Sequence, residues 1–151
     1  MLAATPRLLQ RYRTGQNLTL IHGDAHAWCF YFPKEGVAGG VRLYEWHNFV
    51  APFTAAYDLA RFMAIYWYPE RRRRYEGDLL AHYHDALEAG GVRGYTLDAL
   101  KEDYRHAVIL NLDRPVILSD VVHASVWWDH LERIMLAYED LDCEALLDQG
   151  A

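Results

Sequence analysis

Every strand-like stretch of this chain lies before residue 54, and almost everything after it is patterned for helix. That asymmetry leaves room for only a small sheet, packed against a helical bundle made from the rest of the 151 residues. Leu18 to Ile21 is a short apolar run and reads as a buried strand. Trp28 to Phe32 reads as a second strand, and Val41 to Trp46 as a third. In the third, Val41, Leu43 and Glu45 share one face and Arg42, Tyr44 and Trp46 the other. Gly36, Gly39 and Gly40 supply the hairpin connection between the last two. A short helix opens at Thr5-Pro6 and runs to about Tyr12, and His47 to Phe53 reads as irregular.

The helical part is punctuated clearly. Thr54 is the expected N-cap of a helix to about Trp67, with Leu59, Phe62, Met63 and Tyr66 as its apolar stripe. Pro69 opens a helix that Gly90-Gly91 ends. Thr96 caps the next, with Leu100, Tyr104, Val108 and Leu112 at four-residue steps until Pro115 interrupts it. A long helix spans about Ala124 to Ala137 with Trp127, Leu131, Ile134 and Tyr138 facing inward, and Leu141 to Leu147 forms a short terminal one. The expectation is an α+β fold: one domain over residues 1–151, a small sheet and hairpin near the N-terminus, and a mainly helical bundle behind it.

Composition narrows the function. A formal charge of −6 and a pI near 5.7 argue against a nucleic-acid binder that relies on bulk charge. Arg71 to Arg74 is the one basic run, and it reads as the solvated face of a helix start. Cys29 and Cys143 lack metal-type CxxC spacing and point to a reducing compartment, without deciding whether they pair. No leader sequence is evident, and no apolar run approaches the roughly 20 residues that span a bilayer. The expected setting is cytoplasmic, with no membrane and no nucleic-acid partner.

Chemistry concentrates in His22-Gly23-Asp24-Ala25-His26, a turn between two strands that carries two imidazoles and a carboxylate. With Leu43-Tyr44-Glu45-Trp46 and Tyr57-Asp58-Leu59-Ala60, this turn resembles the C-terminal lobe of the aminoglycoside phosphotransferase and choline-kinase-like family. That family typically reads HGDxHxxN, then IDWE or IDWQ, then YDLA. The resemblance runs from about Asn17 into the last helices and implies a protein-kinase-like C-lobe. It makes Asp24 the residue that orients or deprotonates the attacking hydroxyl, and Asp58 a hydrogen-bonding support of the catalytic loop. Both magnesium positions depart from the pattern: Cys29 stands where the family has Asn, and Glu45 where it has Asp. Magnesium wants oxygen ligands in near-octahedral geometry, so it is the less favoured ion. No GxGxxG or GxxxxGK[ST] occurs, and the family's N-terminal lobe is not evident. A self-sufficient kinase using ATP is therefore not expected.

His22, Asp24, His26, Glu45 and His47 instead suit a divalent transition metal such as zinc or manganese, with three or four as ligands and Asp24 or Glu45 as base. Glu45 and His47 share a face if the third strand continues that far. The plain alternative makes His22 and His26 structural hydrogen-bonding residues. Cys29 reads as a small buried apolar residue, or less plainly as a thiolate beside His26. His82, His84, His106, His123 and His130 read as surface or core residues. Trp127-Trp128 reads as core, or as the wall of an acceptor pocket. Three functions compete. They are a metal-dependent hydrolase of phosphate or other activated esters, a phosphotransferase fragment that needs a second lobe, and a non-catalytic scaffold. The first is preferred, with a small-molecule substrate. The aromatic sheet residues Trp28, Phe30, Phe32, Tyr44, Trp46, Phe49 and Phe53 lead to an expected homodimer.

Overall fold

The structure is a computed structural model and describes residues 10–46 and 51–148, so Phe49 and His47 lie outside the described residues. Residues 10–13 are helical, which is the end of the expected first helix. The strands are β1 (Thr19–Ile21), β2 (Phe30–Tyr31), β3 (Arg42–Leu43) and β4 (Ala51–Phe53). The helices are α1 (Ala56–Ala60), α2 (Pro69–Ala89), α3 (Leu97–Leu110), α4 (Asp113–Leu118), α5 (Ala124–Asp140) and α6 (Glu144–Asp148). A π-helical turn, Arg61–Ile65, continues directly from α1. The α+β architecture is as expected.

The sheet differs from the expected one. Two separate antiparallel pairs replace a single three-stranded unit. β2 and β3 form the expected hairpin, with Phe30 opposite Leu43. β1 pairs instead with β4, placing Ile21 opposite Ala51, in a segment whose sequence reads as irregular. Pro52 obscures β4, because proline cannot donate to a ladder; it is tolerated here in a two-stranded edge pair. The second and third strands are also shorter than expected. Ala27–Cys29 is a 3-10 turn, and Glu45 leaves the strand region with φ +67°. The alternation that would carry Glu45 and His47 along one strand face therefore stops at Leu43.

The helices follow their punctuation more closely. The Thr96 hydroxyl accepts from the Ala99 N–H at 3.1 Å and caps α3. Thr54 does not cap α1 through its side chain. Pro115 sits in the first turn of α4, where its missing N–H costs nothing, so it opens a new helix rather than kinking an old one. Leu100, Tyr104, Val108 and Ile134 are fully buried and meet Met63, Ala64 and Ile65 to form the core.

Charged anchors tie the bundle together. Arg71, Arg73 and Arg74 of the basic run are exposed as expected, but Arg72 is 1% exposed. Its guanidinium pairs with Glu76 at 2.7 Å and with Asp140 of α5, which also receives Arg73 Nε at 2.6 Å. Arg11 forks onto Asp103 at 2.7 and 2.8 Å, and the Tyr95 hydroxyl donates to the same carboxylate. The N-terminal helical segment is thereby fastened to α3. Among the described residues no helix is long and apolar enough to cross a membrane.

Candidate metal centre and cleft

Asp58 of α1 builds the His22–His26 turn. Its carboxylate accepts from the N–H groups of His22 at 2.7 Å and Gly23 at 2.8 Å. Gly23 has φ +81°, which a side chain would strain, so the glycine is what lets successive N–H groups turn toward one carboxylate. His22 is 2% exposed. Its Nε2 lies 2.8 Å from the Tyr44 carbonyl, and its Nδ1 accepts from the Asp24 N–H at 3.3 Å. Both ring nitrogens are thus used inside the protein. His22, expected among the metal ligands, instead bridges the turn to the segment after β3 and joins no candidate ligand group among the described residues.

Asp24 is also not part of a ligand group. Its Oδ1 accepts from Arg61 Nε at 2.8 Å and from Arg61 Nη2, and Arg114 Nη2 stands 3.2 Å from each of its oxygens. Arg61 is 1% exposed, and its third nitrogen donates to Asn111 Oδ1 at 3.3 Å. Asn111 is in turn fixed by the Ala107 carbonyl at 2.9 Å. Asp24 therefore ends a relay of side chains that begins in the core.

The residues that do converge are His26, Cys29 and Glu45, whose ligand atoms all lie within 4.8 Å of one another. Cys29 Sγ is 3.3 Å from His26 Nδ1 and 3.6 Å from Glu45 Oε2. Two ligands bound at about 2.0–2.3 Å to one tetrahedral ion stand roughly 3.3–3.8 Å apart, so these separations fit a single zinc-sized ion. The 3-10 turn holds Cys29 against His26, and the left-handed Glu45, itself exposed, brings its carboxylate to the Cys29 thiol from beyond the end of β3. Burial pushes the Cys29 thiol up and the His26 imidazole down, so the protein environment by itself favours the neutral form of both. A bound cation reverses the first effect, because a coordinating thiol is deprotonated outright. His84, Asp85 and Glu88 form a second cluster, but His84 Nε2 is engaged by the Tyr95 carbonyl at 2.8 Å and both acids are exposed.

His26 also borders a cleft of about 560 Å³. Asp24, Arg114, His130 and Arg133 give it polar walls, and Trp28 and Tyr66 aromatic ones. Trp127 and Trp128 do not line it: the α5 face that does carries Val126, His130 and Arg133.

No family model, curated protein or solved structure matches the chain. Function therefore rests on the site's own chemistry. Sequence reasoning did not count Cys29 among the candidate ligands, did not single out Arg61, Arg114 or Arg133, and took His130 for a surface or core histidine. Arg61 left no usable signal, because it lies opposite the Leu59–Phe62–Met63–Tyr66 stripe and reads as an ordinary polar-face residue.

Proposed function

We propose that this chain is a metal-dependent hydrolase of phosphate or other activated esters, its ion held by His26, Cys29 and Glu45 beside the cleft. One observation carries the reading: three chemically suitable ligand atoms converge, and one of their residues, His26, also lines a cleft large enough for a small substrate. A Cys-His-carboxylate set favours zinc over manganese, because thiolate is the softer ligand. Three protein ligands leave a position open, where an ion polarises a substrate oxygen and lowers the pKa of water. Asp24 orients the attacking water. Its Oδ1 is used by Arg61, while Oδ2 meets only the 3.2 Å contact from Arg114 and keeps lone-pair capacity. In this reading Glu45 is a ligand rather than the base. The fold is taken as a phosphotransferase-like C-terminal lobe, supported by the two bonds from Asp58 to the turn, and without ATP as cofactor.

Elemental analysis of protein purified without added metal is the direct test. Wild type is expected to carry stoichiometric zinc and to hydrolyse 4-nitrophenyl phosphate. His26→Ala and Cys29→Ser should lose most of both. Asp24→Asn should keep its zinc and lose about 10²–10⁴-fold in rate. If wild type holds no zinc, manganese or nickel after reconstitution, and the variants match it in activity, the site is structural and the chain a scaffold.

A homodimer is part of the same proposal. Tyr31, Phe32 and Trp46 of the β2–β3 hairpin region are 61%, 71% and 48% exposed, more aromatic surface than an isolated hairpin normally leaves bare. Light scattering should return twice the 17.5 kDa chain mass, and Phe32→Glu should return it to the monomer value. A wild-type monomer at micromolar concentration would contradict this.

A further inference from the structure

The geometry points to a substrate class: an aryl phosphomonoester, with its phosphate on Arg133 beside Arg114 and its ring against Trp28 and Tyr66. Turnover of such a substrate rests on the hydrolase reading above; its binding does not.

The chain as a whole is acidic, but this cleft is not. Of the charged side chains that line it, Arg114 and Arg133 are cations and Asp24 an anion, which buried Arg61 and Arg114 both pair; Asp129, which meets Arg133, is 56% exposed. Arg133 is mostly covered, with 15% of its side chain accessible. It is placed by stacking on Tyr68, 4.5 Å from the ring centroid. Its two hydrogen bonds, to the Tyr66 carbonyl at 3.4 Å and Asp129 at 3.5 Å, are at the long limit and use two of five donors. An oxyanion at the usual 2.7–2.9 Å makes a stronger, charge-assisted fork than either.

His130 points the same way. It is 8% exposed, lines the cleft, and its Nδ1 has no hydrogen-bond partner among the described residues. Burial and the nearby arginines keep its ring neutral. In the tautomer with hydrogen on Nδ1, this ring has a donor to offer an anion. The remaining wall is flat and apolar: Tyr66 packs against both His26 and His130, with ring centroids 5.5 and 4.9 Å apart, and Trp28 flanks His26 at 5.8 Å. An aromatic ring laid there brings its ester oxygen toward the His26 side of the cleft. The two guanidiniums match a dianion better than a carboxylate, which selects a phosphate monoester within the oxyanion class.

The test is calorimetric titration with phenylphosphonate, benzoate and benzyltrimethylammonium, using protein as purified and again after dialysis against a chelator. Phenylphosphonate should bind best, benzoate less well, and the cation at least tenfold more weakly than phenylphosphonate. Arg133→Gln should weaken phenylphosphonate about 10–100-fold, and Arg133→Lys should fall between, since it keeps charge without the fork. Equal or tighter binding of the cation overturns the proposal, as does a folded Arg133→Gln protein that binds phenylphosphonate unchanged. If Arg133→Gln does not fold, the wild-type ranking alone decides. Phosphonate binding in a chain that holds no metal and turns nothing over would sink the hydrolase reading and leave the anion site standing. Zinc-dependent turnover of neutral esters with no phosphonate preference would do the reverse.

Discussion

Arg61→Ala is expected to destabilise the protein by about 3 kcal/mol, toward the lower end of what breaking a buried ion pair costs. The guanidinium is 1% exposed and satisfies Asp24 and Asn111 at once, so its removal strips Asn111 Oδ1 of its partner and leaves Asp24 with only the 3.2 Å contact from Arg114. Asp24 is itself 19% accessible and recovers some hydration, which is why the upper end of the range is not reached. For a chain of this length, 3 kcal/mol corresponds to a fall in Tm of roughly 6–12 °C. Arg61→Lys should recover only part of it, since an ammonium cannot span both acceptors. Urea denaturation checks the value. A loss below about 1 kcal/mol for the alanine variant would mean that the relay from Asn111 to Asp24 contributes little to folding.

Asp58→Ala should cost a similar amount, about 3 kcal/mol, and should empty the metal centre as well. Hydrogen bonds to a charged acceptor contribute about 1.5–3 kcal/mol each, and this carboxylate receives two from consecutive N–H groups. Without it the left-handed Gly23 has nothing to hold the turn, and His26 three residues later loses its fixed position against Cys29. Asp58→Asn keeps one acceptor oxygen and should lie midway in both stability and bound zinc. Thermal melts read with elemental analysis separate the two effects. Full zinc content in a destabilised Asp58→Ala protein would show that the turn is not what positions His26.

The parts legible in the sequence are those governed by local rules. Pro69, Gly90 and Thr96 mark helix ends because each acts on its own backbone, and α2 begins and ends where they place it. The turn at Gly23 was legible too, as the break that follows the Leu18–Ile21 run. What was not legible depended on partners distant in sequence. β4 exists because β1 pairs with it, and nothing within Ala51–Phe53 announces that. His22 looks like a ligand until the Tyr44 carbonyl is found against it, and Cys29 looks like filler until Glu45 and His26 close around it. Arg114 and Arg133 line the cleft from α4 and α5, and Arg61 reaches it only through Asp24; α5 packs against both α4 and the π turn and so joins elements separated by up to 72 positions.

That π turn has a further consequence. Successive residues of a regular helix are set about 100° apart, and a π turn inserts one residue beyond the regular count. Arg61–Ile65 thus works as a phase shifter: Ala56 and Ala60 ahead of it face α3, Arg61 swings to Asp24, and Tyr66 after it emerges in the cleft wall. Chain length in this stretch is therefore as much a determinant of the site as residue identity. Deleting a single residue would restore an even helical pitch and rotate the cleft wall away from the turn that carries His26, while leaving every side chain of the site chemically intact.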